Sequence, residues 1–130
     1  MKEELDYTNK TVLLVEDNEM NIRLFSFLLK RVKIQFDTAT DGEQGLELFR
    51  KNHYDLILTD INIPNLKGDE MTRIIRQDKD EAKSKVPIVA LTASILISET
   101  ELYLEAGINQ VLIKPFTEPE FKEIIEKYLS

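Results

Sequence analysis

The 130-residue chain contains no cysteine, which excludes disulfides and thiolate-held metals. It has a single histidine, His53, beside Asn52 near a predicted helix end, where it reads as a surface residue. Positive charge is scarce: 17 Lys and Arg stand against 24 Asp and Glu, a net charge of −7. Phosphate contact needs clustered Lys and Arg, so no nucleic-acid surface is expected. No apolar run is long enough to cross a bilayer, and no direct membrane contact is expected. The opening MKEELDYTNK lacks the apolar core of a signal peptide; residues 1–9 read as a polar arm or linker. The missing thiols suit a cytoplasmic location.

What remains, residues 10–130, is the size of one domain with one real core. Short apolar runs recur along it. TVLLV (11–15), LILT (56–59), PIVAL (87–91) and QVLI (110–113) suit strands covered on both faces; FDTA (36–39) is weaker and half-alternating. Helical spacing lies between them. Ile22, Phe25, Leu28, Leu29 and Val32 form one stripe, Leu46 and Phe49 with Leu48 a second, and Met71, Ile74 and Ile75 a third. SETE (98–101) reads as a capping box with Ser98 as N-cap. Leu102 and Ala106 then point inward, and Gly107 closes the helix. Phe121, Ile124, Ile125, Tyr128 and Leu129 make the last stripe.

Strand and helix thus alternate five times. This pattern predicts an α/β fold, a doubly wound five-stranded parallel sheet of order 2-1-3-4-5, flavodoxin-like (βα)5. Ligands of such sheets sit beyond the carboxyl ends, at the switch between strands 1 and 3.

The strand ends carry the chemistry. Strand 1 ends in Glu16-Asp17, strand 3 in Asp60, strand 4 in Thr92 and strand 5 in Lys114-Pro115. Parallel strands bring all of these to one edge. Carboxylates that close repel one another, which a hard divalent cation relieves. Mg²⁺ takes oxygen ligands, keeps several waters and commonly shares its shell with phosphate. No Cys or His lies at a strand end, so zinc is disfavoured. Asp can also act as a nucleophile and form an aspartyl-phosphate. Lys114 would then neutralise phosphoryl oxygens, and Thr92 would donate a hydrogen bond. Each residue alone has a plainer reading: Asp17 or Thr92 as a helix cap, Asp60 as a turn residue, Lys114 as a solvated charge. Together they place complementary groups at four of five strand ends.

VLLVEDNEMN, LILTDINIPNLKG, VALTA and LIKPF resemble the receiver domain of two-component response regulators, in order and spacing over about residues 10–130. EDNEMN further resembles receivers of hybrid histidine kinases and phosphorelays. The resemblance implies that Asp60 accepts a phosphoryl group from a phosphohistidine of a histidine kinase or histidine-phosphotransfer domain. It implies Mg²⁺ held by Asp17, Asp60 and the Asn62 carbonyl, with Glu16 acting partly through water. Thr92, the Ala93 N–H and Lys114 would bind the phosphate, with a cis bond before Pro115. Such a module catalyses its own phosphorylation and dephosphorylation rather than acting as an enzyme on other substrates. It stands free or within a larger hybrid kinase.

Some positions depart from the family pattern. Ile63 and Lys67 stand where members often carry Met and Asp. Val111 stands where many carry Tyr or Phe, and a valine is too short and stiff to swing as a ring does. Any switching is then expected from residues 92–98, with Ile95, Leu96 and Ile97. Two other functions compete: a Mg²⁺-dependent phosphatase with an Asp nucleophile, and a pseudo-receiver that binds partners without phosphorylation. The phosphatase needs a second acid two residues after the nucleophile, where Asn62 stands.

Overall fold

A computed structural model describes Tyr7, residues 9–93 and residues 97–129, the side chains of 97 and 98 excepted. Five parallel strands, β1 (Thr11–Val15), β2 (Gln35–Ala39), β3 (Leu56–Asp60), β4 (Ile88–Thr92) and β5 (Gln110–Ile113), lie in the order β2-β1-β3-β4-β5. The helices are α1 (Glu19–Arg31), α2 (Gly42–Lys51), α3 (Gly68–Arg76), α4 (Glu81–Ser84), α5 (Ile97–Ala106) and α6 (Glu118–Leu129).

Side chains alternate across a strand, and this sorts the core into two layers. Val12 and Leu14 of β1, Leu56 and Leu58 of β3 and Val89 and Leu91 of β4 face Phe25 and Leu29 of α1 and Phe121 and Ile125 of α6. Leu13, Val15, Ile57, Ile88 and Ala90 face the other way, toward Phe49 of α2 and Met71 and Ile75 of α3. Residues 12–15, 56–58 and 88–91 are almost completely buried, which is why these runs are continuous rather than alternating.

The edges of the sheet depart from expectation. In β5 only Leu112 is buried, and Ile113 is half exposed, because β5 is an outermost strand with one uncovered side. The same position at the opposite edge explains the polar pattern of β2. The extra helix α4 interrupts the five-fold alternation. It is a single turn capped by Asp80, whose carboxylate accepts from the Ala82 and Lys83 N–H groups. Tyr7, inside the expected arm, is buried in the α1/α6 layer.

α5 also differs. It begins at Ile97, so Ser98 lies inside the helix rather than at its cap, and the capping contact itself falls outside the described side chains. Ala106 points inward as expected, but Leu102 is half exposed, as is Leu104. The inward positions are Ala106, which is buried, and Tyr103, which packs against the α2/α3 layer. Gly107, at φ 109°, ends the helix as expected: its N–H reaches the Leu104 carbonyl at 3.0 Å and that of Ile108 reaches Tyr103 at 3.1 Å.

Beyond that turn, one guanidinium ties four segments together. Arg76 Nε and Nη2 donate to the Gly107 carbonyl at 3.0 and 2.7 Å. Nη1 donates to the carbonyls of Ser84 and Val86, both at 2.7 Å, and Nη2 also reaches Asn109 Oδ1 at 2.8 Å. Arg76→Ala is expected to cost about 2 kcal/mol, because three carbonyls lose a charged donor. Urea melts should show a lower midpoint at constant slope. Arg76→Lys should recover little, since an ammonium cannot span the fork.

Candidate functional site at the carboxyl edge of the sheet

All five strands end on one edge, and the pairing of β1 with β3 brings Glu16-Asp17 beside Asp60. The carboxylate oxygens of Glu16, Asp17 and Asp60 lie within 4.8 Å of one another. Among the described residues this is the one group of acids and histidines close enough to share a cation. The three are not equivalent. Glu16 is completely buried, Asp17 is exposed and Asp60 lies between.

Lys114 resolves part of the repulsion. Its ammonium donates to Glu16 Oε1 at 3.0 Å and to Asp60 Oδ2 at 3.2 Å, with only 17% of the side chain exposed. The Phe25 ring lies beneath it, 5.8 Å from the ammonium. Phe25, Phe116 and Phe121 stack with centroids 5.5–6.2 Å apart, so α1, the segment after β5 and α6 together floor the lysine. The Lys114–Pro115 bond is cis. Burial pushes the Glu16 carboxyl above its ordinary range. The Lys114 ammonium and the Asn18 N–H, 3.3 Å from Oε2, pull against that shift.

The plainer roles of these residues can now be checked. Asn18, not Asp17, caps α1: its side chain accepts from the Asn21 N–H at 3.0 Å. Asp17 is thereby left to the cluster. Thr92 precedes α5 by several residues and does not cap it. Asp60 does serve its turn, accepting from the Asn62 N–H at 3.3 Å, while its second oxygen faces Lys114.

Glu16, Asp17, Asp60 and Lys114 therefore meet as expected. Thr92 is buried at the end of β4, its carbonyl accepting from the Lys114 N–H at 2.7 Å, and Ala93 is exposed beside it. Asn62 is exposed between the buried Ile61 and Ile63. Sequence reasoning missed Thr59, which is fully buried and donates to the Asp60 carbonyl at 2.9 Å, and Phe25 as the floor of the lysine. Neither carries a local signal, since both act through partners distant in sequence or through the backbone. Val111 is half-buried against the α2/α3 layer. Ile95 and Leu96, singled out for switching, lie outside the described residues, as does the side chain of Ile97.

Fold and edge together define a doubly wound α/β domain whose switch point gathers three carboxylates, two of them paired with one ammonium. The chain belongs to the response regulator receiver domain family, whose model matches residues 12–126. It is thus a phospho-acceptor module of two-component signalling. It is 35% identical over 121 residues to the polar-differentiation response regulator DivK of Brucella ovis, covering 93% of this chain and 97% of DivK. It is 37% identical over 119 residues to transcription factor SKN7 of Saccharomyces cerevisiae, covering 92% of this chain but only 18% of SKN7. The receiver domain of sensor histidine kinase PA1611 of Pseudomonas aeruginosa, crystallised with a magnesium ion coordinated in its active site cleft, superposes with a TM-score of 0.84 at 35% identity, over 92% of this chain and 97% of that one. The receiver domain of Ssk1 from S. cerevisiae, crystallised with the histidine phosphotransfer protein Ypd1, gives 0.85 at 28% identity, over 92% and 88%. Among the described residues no helix is long and apolar enough to cross a membrane.

Proposed function

We propose that Asp60 is the phosphoryl acceptor and that Glu16, Asp17, Asp60 and the Asn62 carbonyl hold Mg²⁺. The observation that carries this is the asymmetric cluster: one buried acid locked to a lysine, one acid open to solvent, and Asp60 between them. The donor set is hard oxygen throughout, and the exposed Asp17 leaves room for the waters that Mg²⁺ keeps. Bound there, the ion would offset negative charge on the phosphoryl oxygens. PA1611 supports this reading, since a magnesium ion occupies the active site cleft of that receiver.

The chain's own groups perform the rest. An Asp60 oxygen attacks the phosphorus of a phosphohistidine. The new P–O bond forms as the P–N bond breaks, and the imidazole keeps the electron pair. Lys114 holds Asp60 in place before the reaction and pairs with the phosphoryl group after it. Thr92 and the Ala93 N–H supply donors from the end of β4. Incubation with acetyl phosphate and Mg²⁺ should add one phosphate, mapped by mass to Asp60 and blocked by chelation. A phosphate on Thr92 would overturn the assignment. Asp17→Ala should weaken Mg²⁺ binding, read by calorimetry, by about tenfold or more, since it removes one of few protein ligands.

The phosphoryl donor docks over α1. Met20, Leu24 and Phe27 are 74%, 50% and 50% exposed, at a spacing that puts them on one face. That face starts beside Asp17 and is flanked by Arg23, Lys30 and Arg31, which also line an adjoining groove with Ile22 and Phe27. Ssk1, a similar receiver, has been crystallised with a histidine phosphotransfer protein. Titration with such a domain should shift NMR signals along α1 and at residues 115–118. Shifts confined to the other end of the sheet would exclude this face. Transfer in the cytoplasm fits a domain whose donor is a kinase or phosphotransfer protein there.

A further inference from the structure

The loop between β3 and α3 presents Asn62, and it is braced from α2. Its backbone is tightly folded. The N–H groups of Ile63 and Gly68 both reach the Ile61 carbonyl, at 3.1 and 2.9 Å, and that of Leu66 reaches Pro64 at 2.8 Å. Ile61 and Ile63 are 2% and 4% exposed, so the residue between them is pinned on both sides. Asn65 adopts a left-handed conformation at φ 68°. Its side-chain amide donates to Asp41 Oδ2 at 2.8 Å. The other oxygen of Asp41 caps α2, accepting from the Gln44 N–H at 2.7 Å. The next residue, Gly42, sits so close that a Cβ there would run into the Leu66 carbonyl, and its N–H points to the Pro64 carbonyl at 3.4 Å.

We propose that Asp41 and Asn65 are positioning residues, which fix the Asn62 carbonyl where the metal-binding edge needs it. The inference rests on the reading of Asn62 as a Mg²⁺ ligand. A carboxylate ligand keeps its reach through side-chain torsions, but a backbone carbonyl goes where its loop goes. Mg²⁺ demands near-ideal octahedral geometry, so slack in that loop weakens binding directly. One carboxylate divided between a helix cap and a loop amide makes the first turn of α2 the fixed point for the loop. Asp41 touches no reacting atom and acts only through Asn65.

Three variants of the full chain separate bracing from folding and from charge. Asp41→Ser keeps a helix cap but cannot reach Asn65. Asn65→Gly keeps the left-handed backbone but loses the amide. Asp41→Asn removes the charge yet restores both contacts, since its oxygen caps α2 and its amide donates to a turned-over Asn65. Calorimetric titration of the unphosphorylated proteins with Mg²⁺ should show binding about fivefold weaker for Asp41→Ser and Asn65→Gly, the net scale of one ordinary hydrogen bond, since the loop keeps its backbone bonds. Asp41→Asn should stay within about twofold of the parent. Without metal, amide exchange at Ile63 and Leu66 should quicken in the first two variants and not in the third. Parent-like affinity in Asp41→Ser and Asn65→Gly would overturn the brace. So would Asp41→Asn binding as weakly as Asp41→Ser, which would assign the effect to charge. A parent chain that takes up no Mg²⁺ at all would overturn the metal site itself and leave the brace nothing to position.

Discussion

Asp60→Asn is expected to abolish phosphorylation by acetyl phosphate, by roughly a hundredfold or more, while the protein stays folded. The carboxylate must donate an electron pair to phosphorus as acetate leaves, and a neutral amide does this poorly. The fold tolerates the change for reasons visible in the cluster. Asp60 is one of three acids within 4.8 Å, so neutralising it removes repulsion. Against that gain, an amide can keep the Asn62 N–H bond or face Lys114 favourably, but not both. Lys114 retains Glu16 at 3.0 Å, so the buried acid keeps its counter-charge. The two effects nearly cancel, and the melting temperature should move by only a few degrees. Intact-mass spectrometry and a thermal melt on the same sample check both halves. A variant that still gains one phosphate would remove Asp60 from the mechanism.

Gly68→Ala should be strongly damaging for so small a substitution beside the site. Gly68 opens α3, and its N–H bonds to the Ile61 carbonyl at 2.9 Å. A Cβ there would run into the Asp60 carbonyl oxygen and meet Ile61 Cα at 3.1 Å. Both obstacles are backbone, so no rotamer relieves them. Either α3 must withdraw from the sheet, where Met71 and Ile75 are fully buried, or the end of β3 must shift and carry Asp60 with it. A cost of about 3 kcal/mol follows from overpacking of this kind, or roughly 10 °C in melting temperature for a chain of this size. Phosphorylation should slow as well, because the nucleophile moves relative to Lys114. An unchanged melting temperature would mean that the helix start has room the geometry denies it.

The strand order and the convergence of the acids could be read in advance for one reason. Parallel strands covered on both faces are unbroken apolar runs, and their ends share an edge, so Glu16, Asp60 and Lys114 could be brought together without coordinates. The same logic failed where coverage stops. QVLI reads as a strand covered on both faces, yet at the edge that the predicted order gives β5, Ile113 stays half exposed. A one-turn helix such as α4 has no period to detect. Leu102 was misplaced because α5 carries apolar residues on more than one side, and only packing selects Tyr103 and Ala106 as the inward pair. Within the site, residue types do not say which acid is buried. That distinction depends on the Asn18 N–H, the Lys114 ammonium and the phenylalanines beneath it, all set by tertiary packing. The choice of Asn18 over Asp17 as the cap of α1 was open for the same reason: both are good capping residues, and they stand side by side.

The bond from Lys114 to Glu16 joins residues 98 positions apart. Its formation closes about three quarters of the chain into a loop, and every strand pairing beneath it is also non-local. Topologies of this kind reach their native contacts late, after most of the ordering entropy has been spent. The lysine and the buried acid therefore meet only in molecules whose sheet is complete from β1 to β5. The pairing of β1 with β3 can gather the three acids, but their ammonium arrives only with β5. A ligand taken by this edge is thus linked to the global unfolding equilibrium: at a hundredfold excess over its dissociation constant it adds about 2.7 kcal/mol to the stability of the entire domain.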